Sequence, residues 1–96
     1  MRLAKTLLKM NKNAREILPS WFFGEVYEIG DVVCNPYSGE TIMLDAAELS
    51  MYELVKGAEI AMQTGFFNID CCIDIMNQGR DWMLAKNPKA YMILLD

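Results

Sequence analysis

Residues 69–86 carry the most regular pattern in the chain, and that pattern dictates a helix. Ile69, Cys72, Ile75, Met76, Gly79, Trp82 and Met83 recur at three- and four-residue spacing, while Asp70, Asp74, Asn77 and Asp81 share the opposite side. A helix of this kind must bury one face and wet the other. Its cap falls at Asn68 or Asp70. The apolar stripe needs a covering surface, because helical stability in water comes mostly from packing. The preceding segment offers one. Asp45 can cap a helix over 45–63, Glu48 three residues on completes a capping box, and Gly65 supplies a left-handed stop. Met51, Leu54, Val55, Ala58, Ala61 and Met62 form a broad stripe on this helix, with Leu49, Tyr52 and Ile60 as a second apolar strip nearly opposite. A helix apolar on two sides is either central in its own domain or contributes to an oligomer interface. Leu49, Tyr52 and Ile60 are accordingly candidate interface residues. Asn87-Pro88 starts a short last helix over 88–95, with Asn as cap and Pro at the first helical position.

Upstream, Leu3, Leu7, Met10, Ala14, Ile17 and Leu18 fall on one helical stripe, and Arg2, Lys5, Lys9 and Lys12 follow the same period on the other face. A basic amphipathic helix over 1–18 is expected, ended by Pro19. Ser20-Trp21-Phe22-Phe23-Gly24 is a connector whose three aromatics cannot all point one way, so at least one is free to meet a partner or another helix. Residues 25–44 raise the β-branched content. There Asn35-Pro36-Tyr37-Ser38-Gly39 separates two short apolar runs as a hairpin turn. Two strands alone are marginal, so the hairpin must lean on the helices. The expectation is one domain over 1–96, mainly α within a small α+β class. Three main helices and a short C-terminal one flank a single β-hairpin placed between helices 1 and 2.

Composition then narrows the function classes. The longest wholly apolar runs, such as Met92-Ile93-Leu94-Leu95, fall far short of the roughly 20 residues needed to span a bilayer. No long apolar stretch follows the basic N-terminus as a secretory signal requires, so no membrane insertion and a cytoplasmic location are expected. Three cysteines is an odd count, and Cys71-Cys72 are adjacent, a poor geometry for a mutual disulfide. They read as small buried hydrophobes in a reducing compartment. The chain has no histidine, which removes Ser-His-Asp and Cys-His catalysis and most zinc chemistry. No enzyme activity and no cofactor are expected. A content of 53% apolar residues with 8 methionines exceeds what a small core needs, and points to self-association as a homo-oligomer.

Charge is unevenly spread. Residues 1–18 hold five basic groups against Glu16 alone, whereas 19–96 carry 4 basic and 12 acidic groups. Arg2, Lys5, Lys9 and Lys12 could meet nucleic-acid phosphates, an anionic membrane surface, or the acidic body of the same or another chain. Docking on the acidic body needs no external partner and is preferred. The acidic side of 69–86 lacks the dense spacing of a calcium loop and reads as a solvated face. Helices 45–63 and 69–86 with their glycine turn outline a helix-turn-helix, the hairpin serving as a wing, although aspartates at the start of the second helix oppose phosphate contact. Gly57 and Ala61 in one helix and Gly79 in the next are candidates for close helix–helix approach.

Asn35-Pro36-Tyr37-Ser38-Gly39-Glu40, Leu44-Asp45, the run Tyr52 to Glu59 and the ending Asn87 to Asp96 resemble small uncharacterised proteins of tailed bacteriophages infecting marine bacteria, cyanobacteria included. The resemblance covers residues 30–62 and 80–96. It implies a viral origin in a host-cell cytoplasm, but brings no activity and gives no residue a role. The reading that results is a non-enzymatic interaction or regulatory protein. A winged or plain helix-turn-helix DNA-binding regulator is the alternative.

Overall fold

The computed structural model describes residues 14–65 and 68–96. Residues 14–17 are helical (α1), followed by strands β1 (Asp31–Cys34) and β2 (Thr41–Leu44) and helices α2 (Ala46–Thr64), α3 (Ile69–Lys86) and α4 (Pro88–Leu94). The fold is therefore a small α+β arrangement with one antiparallel hairpin between the first and second helices. Of the basic helix expected over 1–18, only its last turn is described; Arg2, Lys5, Lys9 and Lys12 lie outside the described residues.

Each boundary has a local cause. The Asp45 carboxylate accepts from Glu48 N at 2.8 Å and Glu48 returns a bond to Asp45 N at 2.9 Å, a complete capping box. Gly65 closes α2 at φ 74°, a left-handed conformation that costs glycine nothing. Asn68, rather than Asp70, caps α3, accepting from Cys71 N at 3.1 Å. Asn87 ends α3 and starts α4: its N–H donates to Met83 O at 2.8 Å, while its side chain accepts from Ala90 N at 3.1 Å.

In the hairpin Asp31 faces Leu44, Val32 faces Met43, Val33 faces Ile42 and Cys34 faces Thr41. Alternation turns Val33, Ile42 and Leu44 toward the helices and leaves Val32 and Met43 exposed. Asn35 fastens the turn from within, accepting from Tyr37 N at 2.8 Å. It also fastens the turn to α4, donating through Nδ2 to Ile93 O at 2.8 Å.

Helix α2 is the centre of the molecule, packed against α3 on one side and β2 on the other, with α4 closing against α3 and β2. Leu44, Met51, Val55 and Met83 are fully buried between these elements. Burial of each such side chain is worth about 1.5–3 kcal/mol. Gly79 sits where α3 crosses α2: a Cβ there would run into Val55 Cγ2 and lie 3.3 Å from Met51 Sδ. The close approach expected at Gly79 is thus present. Gly57 differs, since a Cβ built on it meets nothing within 4 Å. No helix among the described residues is long and apolar enough to cross a membrane.

Candidate functional site

Between α1 and the hairpin the chain crosses α2 as a strap. Pro19 O accepts from Phe22 N at 3.0 Å, turning the chain, and Trp21 and Phe22 pack against the core. Phe23 is left 69% exposed. Four residues on, Tyr27 N–H donates to Ser50 Oγ at 2.9 Å, and the Ser50 hydroxyl in turn donates to Ala46 O at 2.7 Å. The buried Ser50 hydroxyl, satisfied on both sides, thereby pins the strap to the first turn of α2.

The strap, α2 and α3 enclose an apolar groove of about 550 Å³. Volumes of this order suit a bound ligand. Its α2 wall runs from Ser50 through Leu54, Gly57 and Ala58 to Ala61, eleven residues along the helix. At 1.5 Å per residue that is a trough about 16 Å long. Phe23, Gly24 and Tyr27 form the strap wall; Cys71, Cys72 and Ile75 form the α3 wall. The trough exists because the α2 residues facing it beyond Leu54 are small. Ala at positions 58 and 61 and Gly at 57 leave unfilled the space that a larger side chain would take.

Polar groups are few and of one sign. Glu25 and Glu53 line the groove, and no lysine or arginine does among the described residues. The Tyr27 phenol lies near both carboxylates. Burial first, then Glu53 and Glu25, push its pKa above the ordinary 10.0. The cations of α2 and α3 are committed elsewhere: Lys56 Nζ to Glu59 at 3.2 Å, Arg80 Nη2 to the same carboxylate at 3.1 Å, and Lys86 Nζ to Asp45 at 3.5 Å. Among the described residues no three His, Cys, Asp or Glu side chains converge as metal ligands. The arrangement is a groove with apolar walls and carboxylates at the edge.

Several expected positions fall elsewhere. The strip Leu49, Tyr52 and Ile60 is not one exposed face. Leu49 and Tyr52 are each 8% exposed and belong to the core cluster, whereas Ile60 is 61% exposed. The hairpin must bury its inner face, and β2 packs on both α2 and α4, in one core with Leu49 and Tyr52. The cysteines also divide, for Cys72 is buried as expected while Cys34 and Cys71 are exposed. Asp70, Asp74, Asn77 and Asp81 are all exposed, as a solvated face requires. As a DNA-reading helix α3 therefore presents carboxylates, and the hairpin supplies Asp31 and Glu40 but no lysine or arginine. The sequence reading missed the groove itself. Its signal was present in the small residues at 57, 58 and 61, which read instead as helix-packing positions.

No family model, curated protein or solved structure matches the chain.

Proposed function

We propose that this chain is a non-enzymatic interaction protein that seats an amphipathic basic helix of a partner protein in the α2–α3 groove. The observation that carries the proposal is Gly57, on a 16 Å wall whose residues beyond Leu54 are small, edged by Glu25 and Glu53. A mid-helix glycine costs about 1 kcal/mol relative to alanine. No neighbour requires it here, since nothing lies within 4 Å of the Cβ it lacks. What the glycine does is keep the trough open. Helix-in-groove recognition uses apolar anchors at i, i+3, i+4 and i+7 along such a trough, and the carboxylates at its edge favour lysine or arginine on the incoming helix. The helix-turn-helix alternative gains no support from the start of α3 or from the hairpin, whose exposed charges are Asp70, Asp74, Asp31 and Glu40.

The test is fluorescence anisotropy with a labelled synthetic helix bearing leucines at those anchor spacings and lysines on its other face. Gly57→Leu fills the trough without altering charge. The expected result is saturable binding to the native chain and at least tenfold weaker binding to Gly57→Leu, whose melting temperature should rise. Equal affinity for the two chains overturns the groove as the binding seat.

A further inference from the structure

The carboxylates of the groove are gathered at one of its ends. The strap follows α2 so closely that a Cβ on Gly24 would lie 3.3 Å from Leu54 Cδ1, and Tyr27 N–H bonds to Ser50 Oγ. Glu25, between these two contacts, therefore stands over the first half of the α2 wall, where Glu53 also lines the groove. After burial, Glu53 and Glu25 are the groups that raise the Tyr27 phenol, so the two carboxylates lie together. The other end is different. Because α2 ends at Thr64, α3 starts at Ile69 and Gly79 crosses Val55, α3 runs back along α2. Its first turn, with Cys71 and Cys72, lines the Ala61 end, and no charged side chain lines that end among the described residues.

We infer that the partner helix lies in the groove in one direction, parallel to α2, with lysine or arginine of its first turn at Glu25 and Glu53 and its last turn beside Cys71. This rests on the groove being the seat of a helix, and adds which way the helix runs and where its cations stand. A helix carries about half a positive charge at its N-terminus and half a negative charge at its C-terminus. Laid the other way, it would turn its negative end toward two carboxylates. The ends of the groove's own helices do not reverse this. The start of α2 is already covered by the carboxylates of Asp45 and Glu48. The start of α3 favours the partner's carbonyl end, and Asp70, exposed in that turn, screens this second effect, so the direction is set at Glu25 and Glu53. Selectivity follows. Most helices favour Asp or Glu in their first turn, and those carboxylates would meet Glu25 and Glu53 as like charges.

The experiment compares two synthetic helices with the same leucine anchors, stapled on the opposite face so that both are equally helical. One carries two lysines in its first turn, the other carries them in its last. The first should bind the full native chain about fivefold more tightly at low salt, since exposed ion-pair and charge–dipole contacts are each worth a factor of a few. Glu25→Gln with Glu53→Gln, both at exposed positions, should bring the two affinities together. Equal affinities for the native chain, or tighter binding of the second helix, overturn the direction, while weaker binding of both helices to Gly57→Leu keeps the groove as the seat. If Gly57→Leu binds both as the native chain does, the groove falls and the direction with it. A second readout is independent of affinity. The first helix, carrying a thiopyridyl-activated cysteine at either end, is offered to the exposed Cys71 in a Cys34→Ser chain. Capture through the helix's last residue should outpace capture through its first. Equal rates, or the reverse order, overturn the direction.

Discussion

Asn87 Nδ2 donates to Glu48 Oε2 at 3.1 Å, which makes the caps of α2 and α4 one network. The other oxygen of Glu48, a residue 6% exposed, accepts from the Asp45 N–H, and Asn87 Oδ1 accepts from the Ala90 N–H. Asn and Asp are equally good helix caps in general. Here they are not equivalent. Asn87→Asp keeps the cap but replaces a donor to the buried Glu48 by a second carboxylate, a repulsion that Lys86, 3.9 Å from Glu48, offsets only in part. Asn87→Asp is expected to destabilise by about 2–3 kcal/mol and Asn87→Ser, which caps without charge, by about 1 kcal/mol. Urea denaturation at neutral pH checks the order; an Asn87→Asp chain as stable as Asn87→Ser removes the link from the energetics.

Two mid-helix glycines should respond to alanine with opposite signs. At Gly57 the added methyl enters open space, and helix propensity alone predicts a gain of up to about 1 kcal/mol. At Gly79 it meets Val55 Cγ2, on a side chain fully buried at the α2–α3 crossing. Overpacking there costs about 1–3 kcal/mol, which outweighs the propensity gain. Thermal melts of Gly57→Ala and Gly79→Ala should therefore shift in opposite directions. A shared sign would mean that the crossing yields to the methyl, and that close approach is not why glycine stands at 79.

The same pair shows what the sequence could and could not disclose. Both glycines interrupt helical patterns and both read as packing positions, because local pattern carries no information about what lies across a helix. Caps and turns are local chemistry, and Asp45 with Glu48, Gly65, Asn87 with Pro88, and the Asn35–Gly39 turn were all legible. The second strip on α2 was ambiguous for a physical reason: Leu49 and Tyr52 look alike whether a hairpin or a second molecule covers them. The groove depends on the Tyr27–Ser50 hydrogen bond across 23 residues of sequence, and no spacing rule announces that contact.

Alkaline pH should weaken the fold through two tyrosines. Burial is the first cause raising the Tyr52 phenol above 10.0, followed by Glu53, Glu59 and Cys34; Tyr27 is raised by burial, Glu53 and Glu25. The native state then keeps protons that the unfolded chain releases. Their stabilising contribution is complete below pH 10 and is lost as pH rises through the higher native values. Denaturation midpoints should accordingly fall beyond pH 10, and Tyr52→Phe should flatten the decline. An equally steep decline in Tyr52→Phe would place its origin in other groups.

Duplex DNA separates the two functional readings by its salt dependence and by which residues matter. The exposed face of α3 carries Asp70, Asp74 and Asp81, so cations for phosphates must come chiefly from Arg2, Lys5, Lys9 and Lys12. Four phosphate contacts limit the slope of log affinity against log salt to about −4, and little binding should survive at physiological salt. A helix-turn-helix that inserts the start of α3 into the major groove would bring Asp70 and Asp74 near phosphates, and Asp70→Asn with Asp74→Asn should then tighten binding about tenfold or more. The interaction reading expects no such gain. Weak low-salt binding should instead vanish in Lys5→Glu/Lys9→Glu and remain unchanged in the double asparagine variant. Tightening by the asparagines would put α3 against DNA and restore the regulator reading over the receptor groove.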